Sequence, residues 1–172
     1  SVKHLDLLFK PNSLAIIGAS RDPNSVSAIL MRNLMSGKFL VPVLPVSGAQ
    51  EAIFGVLSYV DVASMPLTPD MAIICSPAHE IPDRLVELAD NGTHVALIMD
   101  PGYALLEAKE RALMDEKIRT VLREKDMRVL GPGSLGMIVP ASGVNASLSR
   151  VGAKEGRIAF VTQSDSLFES VL

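Results

Sequence analysis

Cysteine is almost missing: Cys75 is the only one in 172 residues. No internal disulfide framework and no multi-cysteine metal site can therefore be built. Histidine is scarce as well. The three, His4, His79 and His94, lie far apart in sequence and show no metal-ligand spacing. Nor is there an excess of positive charge: 16 Lys and Arg stand against 19 Asp and Glu, a net charge of -3. That leaves no global positive field to neutralise a phosphate backbone, and nucleic acid is not an expected partner. The longest apolar runs, such as residues 95–99, fall far short of the roughly 20 residues a membrane helix needs. Residues 1–10 alternate apolar and charged side chains and lack the basic start, apolar centre and cleavage site of a signal peptide. The expected setting is a reducing cytoplasm, without membrane contact. Opening at Ser1 without a Met and stopping at Leu172 inside a helical pattern, the chain is expected to be a piece of a longer protein.

What is present is ordinary globular material, 48% hydrophobic and 20% charged with 12 Gly and 11 Pro, and long enough for one domain with a sizeable core. Short apolar runs at residues 14–17, 41–46, 71–75, 95–99 and 127–130 alternate with longer segments of helical period. A further short strand candidate follows at 136–139. This alternation predicts an α/β fold, a Rossmann-like doubly wound sheet of parallel strands covered on both faces. Helices are predicted over 25–36, stopped by Gly37; between Pro82 and Gly92; and over about 105–125. Residues 140–156, with three Gly and three Ser, read as a linker. A domain boundary is placed near 152, so that 1–152 forms the main domain. Beyond it, 157–161 reads as a strand, 162–165 as a turn and 166–172 as a helix start.

In such a sheet ligands bind at the carboxyl ends of the strands, and the turn between the first strand and the first helix is the place for an anion. Here that turn holds Gly18, Ala19, Ser20, Arg21 and Ser25. Gly18 permits a tight turn, Ser20 and Ser25 carry hydroxyls, and Arg21 supplies a charge for phosphate oxygens. The dinucleotide fingerprint GxGxxG is missing, because Ser20 and Pro23 stand at its second and third glycine positions. The second strand ends in Val46 and Ser47, without the acid that would grip an NAD ribose. NAD is disfavoured. A phosphorylated ribose is tolerated better, with Lys38 and Arg21 in range, and spacing alone does not separate coenzyme A (CoA) from NADP. Cys75, Ser76, Pro77, Ala78 and His79 after the third strand, and Asp100, Pro101, Gly102 and Tyr103 after the fourth, form a rigid wall beside this crevice. It suits an extended, weakly polar arm. Cys75 and His79 invite a nucleophile and base reading, but a lone Cys at a strand end is more often a small buried hydrophobe. It is assigned to packing.

The segments LFKPNSLAIIGASRDPNS, MRNLMSGKFLVPVLPV, PDMAIICSPAHEIPDRLVELADNGTHVALI and MRVLGPGSLGMIVP together resemble the CoA-binding domain of NDP-forming acyl-CoA synthetases. The likeness runs over nearly the whole chain. The pairing of VPVLPV with GVLSYVDVASMPLTPDMAI is especially similar to Pat-type bacterial lysine acetyltransferases, and GRIAFVTQSDSL resembles the opening of the succinyl-CoA synthetase-like domain that follows. The resemblance implies that Gly18, Ala19, Ser20, Arg21 and Ser25 receive the phosphates of CoA or acetyl-CoA, with Ser47 by the adenosine. It places Cys75, Ser76, Pro77, Ala78, Asp100, Pro101 and Gly102 along the pantetheine, whose thiol points toward Gly131, Pro132, Gly133 and Ser134. The family usually has Asn where this chain has Gly133. The phosphorylated histidine of the synthetases belongs to the following domain, so residues 1–172 are expected to bind without turnover, alongside the remaining domains of the parent chain. An NADP-using oxidoreductase domain and a degenerate structural domain without ligand stand as the alternatives.

Overall fold

In the computed structural model, which describes residues 3–36 and 39–172, the elements are α1 (Leu5–Phe9), β1 (Leu14–Ile17), α2 (Val26–Ser36), β2 (Val43–Val46), β3 (Ala52–Ile53), β4 (Val56–Leu57), β5 (Met71–Ile74), α3 (Ile81–Asp90), β6 (Val95–Ile98), α4 (Ala108–Lys125), β7 (Arg128–Leu130), β8 (Gly136–Val139), β9 (Val144–Ser147) and α5 (Asp165–Val171). Gly37, expected to stop the first long helix, and Lys38 lie outside the described residues. The five apolar runs form one parallel sheet in the order β2-β1-β5-β6-β7. The chain crosses to one side of β1 to make β2 and to the other to make β5. The order reverses between β1 and β5, and this is the switch point of a doubly wound, Rossmann-like sheet.

Alternation of side chains along each strand divides the core in two. Leu14 and Ile16 of β1, with Met71 and Ile73 of β5, pack beneath Leu30, Met31 and Leu34 of α2 and Val144 and Ala146 of β9. Ala15, Ile17, Ala72 and Ile74 face the other way, against Ile81, Leu85 and Leu88 of α3 and Ile118 of α4. All four residues of β1, β5 and β6 are buried. Full burial of such side chains contributes about 1.5–3 kcal/mol each, which is why continuous apolar runs, and not alternating ones, mark these strands.

The helix expected from about residue 105 begins later. Residues Pro101–Leu105 make a 3-10 turn, and Glu107, extended at φ -60 and ψ 152, forms a capping box with Glu110. A reciprocal cap of that kind fixes the first turn of α4 after it.

The strand candidate at 136–139 is present as β8, pairing antiparallel with β9 outside the parallel sheet. Two other expectations are corrected. The expected linker 140–156 is largely structured: Pro140–Ser142 make a 3-10 turn, β9 follows, and Ser147 and Ser149 are buried. Asn33 of α2 holds this stretch through its side-chain amide, which donates to Ser147 O at 2.8 Å and Ser149 O at 2.9 Å. Residues 157–161 are not a strand, and Ile158 and Val161 are each 94% exposed. A strand forms only beside a neighbour, and a single β-α piece has nothing to cover its face. The helical part of that segment is present as α5, capped by Ser164, whose Oγ accepts from Leu167 N–H.

At the opposite end of the sheet the amino-terminal arm is clamped. His4 stacks on His94 at 4.3 Å with the rings 6° from parallel, Lys3 pairs with Asp126, and Arg128 donates to Lys3 O at 2.7 Å. These histidines belong to the packing of the rim far from the strand carboxyl ends.

Asn33→Leu removes both donors and leaves the carbonyls of buried Ser147 and Ser149 without them. Unfolding by denaturant is expected to show a loss of about 1–3 kcal/mol; an unchanged midpoint would return residues 144–149 to a loose linker.

Candidate functional site

The carboxyl ends of the five parallel strands carry the turns singled out in the sequence, and backbone contacts join them into one crest. Gly18 and Ala19 both donate to Val46 O, at 3.0 and 2.9 Å, which seats the turn after β1 against the end of β2. Cys75 N–H donates to Ile17 O at 2.8 Å, and Met99 N–H to Ile74 O at 2.9 Å. Gly18 has φ +80, and a Cβ built on it would lie 2.8 Å from Ser76 N and 3.0 Å from Cys75 C. Only glycine fits this approach. On the far side, a Cβ on Gly131 would lie 2.6 Å from Ile98 O, and one on Gly133 would meet the Tyr103 ring at 3.7 Å.

The turn leading into α2 is closed by its own polar groups. Ser20 N–H donates to Ser27 Oγ at 3.0 Å, and Ser20 Oγ accepts from Asp22 N–H at 3.1 Å. Ser25 caps the helix: its Oγ accepts from Ala28 N–H at 3.1 Å and donates to Asp22 O at 2.8 Å. Its proton is thus engaged within the turn. Capping by Ser25 still leaves first-turn N–H groups of α2 pointing out of the helix end, where they favour negative charge. Arg21 reaches away from the turn to Glu51, with Nη1 3.2 Å from Oε2 and its own side chain 72% exposed.

Ser47 is drawn into a serine pair: its Oγ lies 3.0 Å from Ser58 Oγ and donates to Ala49 O at 2.9 Å. Pro77 leads into the 3-10 turn Ala78–Glu80 ahead of α3, with Ala78 buried. Asp100 is 7% exposed; its Oδ1 accepts from Gly102 N–H at 2.9 Å, and its Oδ2 has no partner among the described residues. Ser134 is used locally, its Oγ accepting from Gly136 N–H at 3.0 Å. Pro101 and Gly131 are exposed and Pro132 half-buried.

Burial, and then the Asp100 carboxylate, push the Cys75 thiol up to about 12. A thiol held protonated is no nucleophile. His79, four residues on, has a side chain 79% exposed beside Glu80, at 4.0 Å. No group of three His, Cys, Asp or Glu able to hold a metal occurs among the described residues. What the crest offers is donors, small residues and close backbone, the equipment for holding an anionic ligand. A groove of about 410 Å³ also opens between α3 and α4, lined by Pro82, Val86, Leu113, Lys117 and Val121 among others. Of the crest turns, only His79 reaches its lining.

One neighbour was not singled out from sequence. Glu51 lies thirty residues from Arg21, in the connection between β2 and β3, and is tied there to Ser58 beyond the β3–β4 hairpin. Tyr103, expected in the wall beside the crevice, is anchored there. Its hydroxyl donates to Asp115 Oδ1 at 2.5 Å and Arg111 lies over its ring at 5.7 Å, which fixes the ring beside Gly133.

Residues 12–140 match the CoA binding domain family, CoA_binding_2. The chain belongs to this family. It is 33% identical over 167 residues to the alpha subunit of acetate–CoA ligase (ADP-forming) II of Pyrococcus furiosus, a match covering 95% of this chain and 35% of that protein. It is 28% identical over 162 residues to 4-hydroxybutyrate–CoA ligase (ADP-forming) of Nitrosopumilus maritimus, covering 93% of this chain and 23% of that one. Among solved structures, the dinucleotide-forming acetyl-coenzyme A synthetase 1 of Ca. Korarchaeum cryptofilum, in complex with phosphate and ADP, superposes with a TM-score of 0.86 at 27% identity. That superposition covers 97% of this chain and 35% of the synthetase. The chain therefore spans about a third or less of the length of these relatives. No helix among the described residues is long and apolar enough to cross a membrane.

The raised Cys75 value belongs to the folded chain alone. Its contribution to stability is complete below about pH 9, where the unfolded thiol is still protonated, and is lost as pH rises toward 12. Native chain is expected to resist iodoacetamide at pH 8, and Cys75→Ala to flatten the fall of stability between pH 9 and 11. Rapid labelling of the folded chain at pH 8 would contradict a thiol held protonated.

Proposed function

We propose that this chain binds coenzyme A or acetyl-CoA across the crest, as the CoA-binding domain of a larger NDP-forming acyl-CoA synthetase-like protein. The observation that carries the reading is the turn of residues 18–25. It lies at the switch point of a parallel sheet, presses bare backbone against Ser76, and opens the first turn of α2. The diphosphate rests over Gly18, Ala19, Ser20 and Ser25, where N–H groups and the helix end favour negative charge. Arg21 serves the phosphates, and Ser47 lies by the adenosine. Cys75, Ser76, Pro77 and Ala78, with Asp100, Pro101 and Gly102, flank the pantetheine, and the thiol end approaches Gly131, Pro132, Gly133 and Ser134. The similarity to three CoA ligases and synthetases supports this choice of ligand. In this reading residues 1–152 form the binding domain and 153–172 open the next synthetase-like domain, which carries the chemistry. A Pat-type lysine acetyltransferase parent uses the same binding domain; reading the rest of the gene product for a ligase histidine or an acetyltransferase domain separates the two.

Calorimetric titration with CoA and NADP tests the ligand. CoA should bind and NADP should not, and Arg21→Glu should weaken CoA at least about tenfold, since a charge-assisted hydrogen bond contributes about 1.5–3 kcal/mol. Equal affinity in the folded variant would refute the proposed site. No binding of CoA at millimolar concentration would make the domain a structural one.

A further inference from the structure

After Val46 the chain leaves the sheet, makes the β3–β4 hairpin and returns to the same strand end. Ser47 N–H donates to Tyr59 O at 3.1 Å, and Tyr59 N–H to Pro45 O at 2.8 Å. Ser58, fully buried, ties the excursion shut. Its Oγ accepts from Glu51 N–H at 3.1 Å and lies 3.0 Å from Ser47 Oγ, while its N–H donates to Glu51 O at 2.8 Å. The strand's own end lacks an acid, but the fold brings one back to it. In doubly wound nucleotide-binding sheets this is where the ribose is read: a carboxylate takes free ribose hydroxyls, and a nearby Arg takes a ribose phosphate. This chain holds both readers and pairs them, Arg21 Nη1 to Glu51 Oε2 at 3.2 Å.

The two partners are held unequally. Glu51 is fixed through its N–H and its carbonyl to buried Ser58, and its side chain is 31% exposed. Arg21 stands on the turn with a side chain 72% exposed. An exposed ion pair is worth a factor of about five at most, whereas a phosphate accepts shorter, stronger bonds from guanidinium, often two at once. When a phosphate competes for the pair, the guanidinium is the group that moves.

We propose that Glu51 is a specificity-determining residue for the ribose end of the ligand. It holds Arg21 until a ribose phosphate takes its place on the guanidinium, and this exchange separates coenzyme A from dephospho-coenzyme A. The inference rests on the CoA reading of the crest. A carboxylate beside an occupied phosphate repels it, so Glu51 sets a ceiling on CoA affinity; toward an unphosphorylated ribose it is an acceptor instead.

The test titrates coenzyme A and dephospho-coenzyme A into the unaltered chain, Glu51→Gln and Arg21→Gln, with thermal melting as a check on the fold. Glu51→Gln should tighten CoA about threefold and leave dephospho-CoA unchanged or weaker. Arg21→Gln should weaken CoA about tenfold and abolish the preference between the two ligands. If Glu51→Gln folds normally and shifts both ligands equally or neither, the exchange is wrong although the CoA site stands. If the unaltered chain binds neither ligand, the CoA reading itself falls, and this inference with it.

Discussion

The approach of the turn after β1 to the turn after β5 shapes everything at the carboxyl end of the sheet. With φ +80 and Ser76 N 2.8 Å from where a Cβ would stand, Gly18 lets two neighbouring strand ends meet without side chains between them. Because the strand order reverses at this pair, the helices that follow β1 and β5 leave on opposite faces, and the space above the junction stays open. The same closeness holds half-buried Cys75 beside Asp100, which helps keep the one thiol of the chain protonated. A crest of this kind offers backbone donors in fixed places, with few charges of its own.

Its rigidity comes from below. Alternate residues of β1 and β5 feed two separate apolar layers, one under α2 and β9 and one under α3 and α4. Neither layer can slip without exposing the other, since a one-residue shift of register turns every side chain to the opposite face. The β8–β9 hairpin, held to α2 through Asn33, completes the first layer. The loops above are thus short spans between fixed points, which gives small residues there a defined geometry.

Much of this was legible in the sequence where burial is uniform. Leu14–Ile17, Met71–Ile74 and Val95–Ile98 are continuous apolar runs because both faces of each strand are covered. β9 was not legible: it carries Asn145, Ser147 and a preceding Gly143, the composition of a loop, and its strand character comes from pairing with β8. Residues 157–161 erred the other way, since β propensity predicts a strand only where a partner exists. At the crest, the turn residues were found because their place follows from topology. Glu51 was missed because it lies in an irregular connection before β3, and what holds it in place is buried Ser58 on the far side of the hairpin. Ser25, expected to offer a hydroxyl donor, has that hydroxyl engaged as a helix cap.

The central claim is that coenzyme A lies on the junction of the β1 and β5 turns. Nuclear magnetic resonance of the 15N-labelled chain during a CoA titration tests it most directly, because every backbone N–H at the junction reports separately. The account predicts the largest amide shifts at Gly18, Ala19, Ser20 and Val26, with smaller ones at Ser76 and Ala78 and almost none around His94 and Asp126. Saturable shifts confined to the α3–α4 groove or to the His94 rim, with Gly18 and Ala19 unmoved, would contradict it.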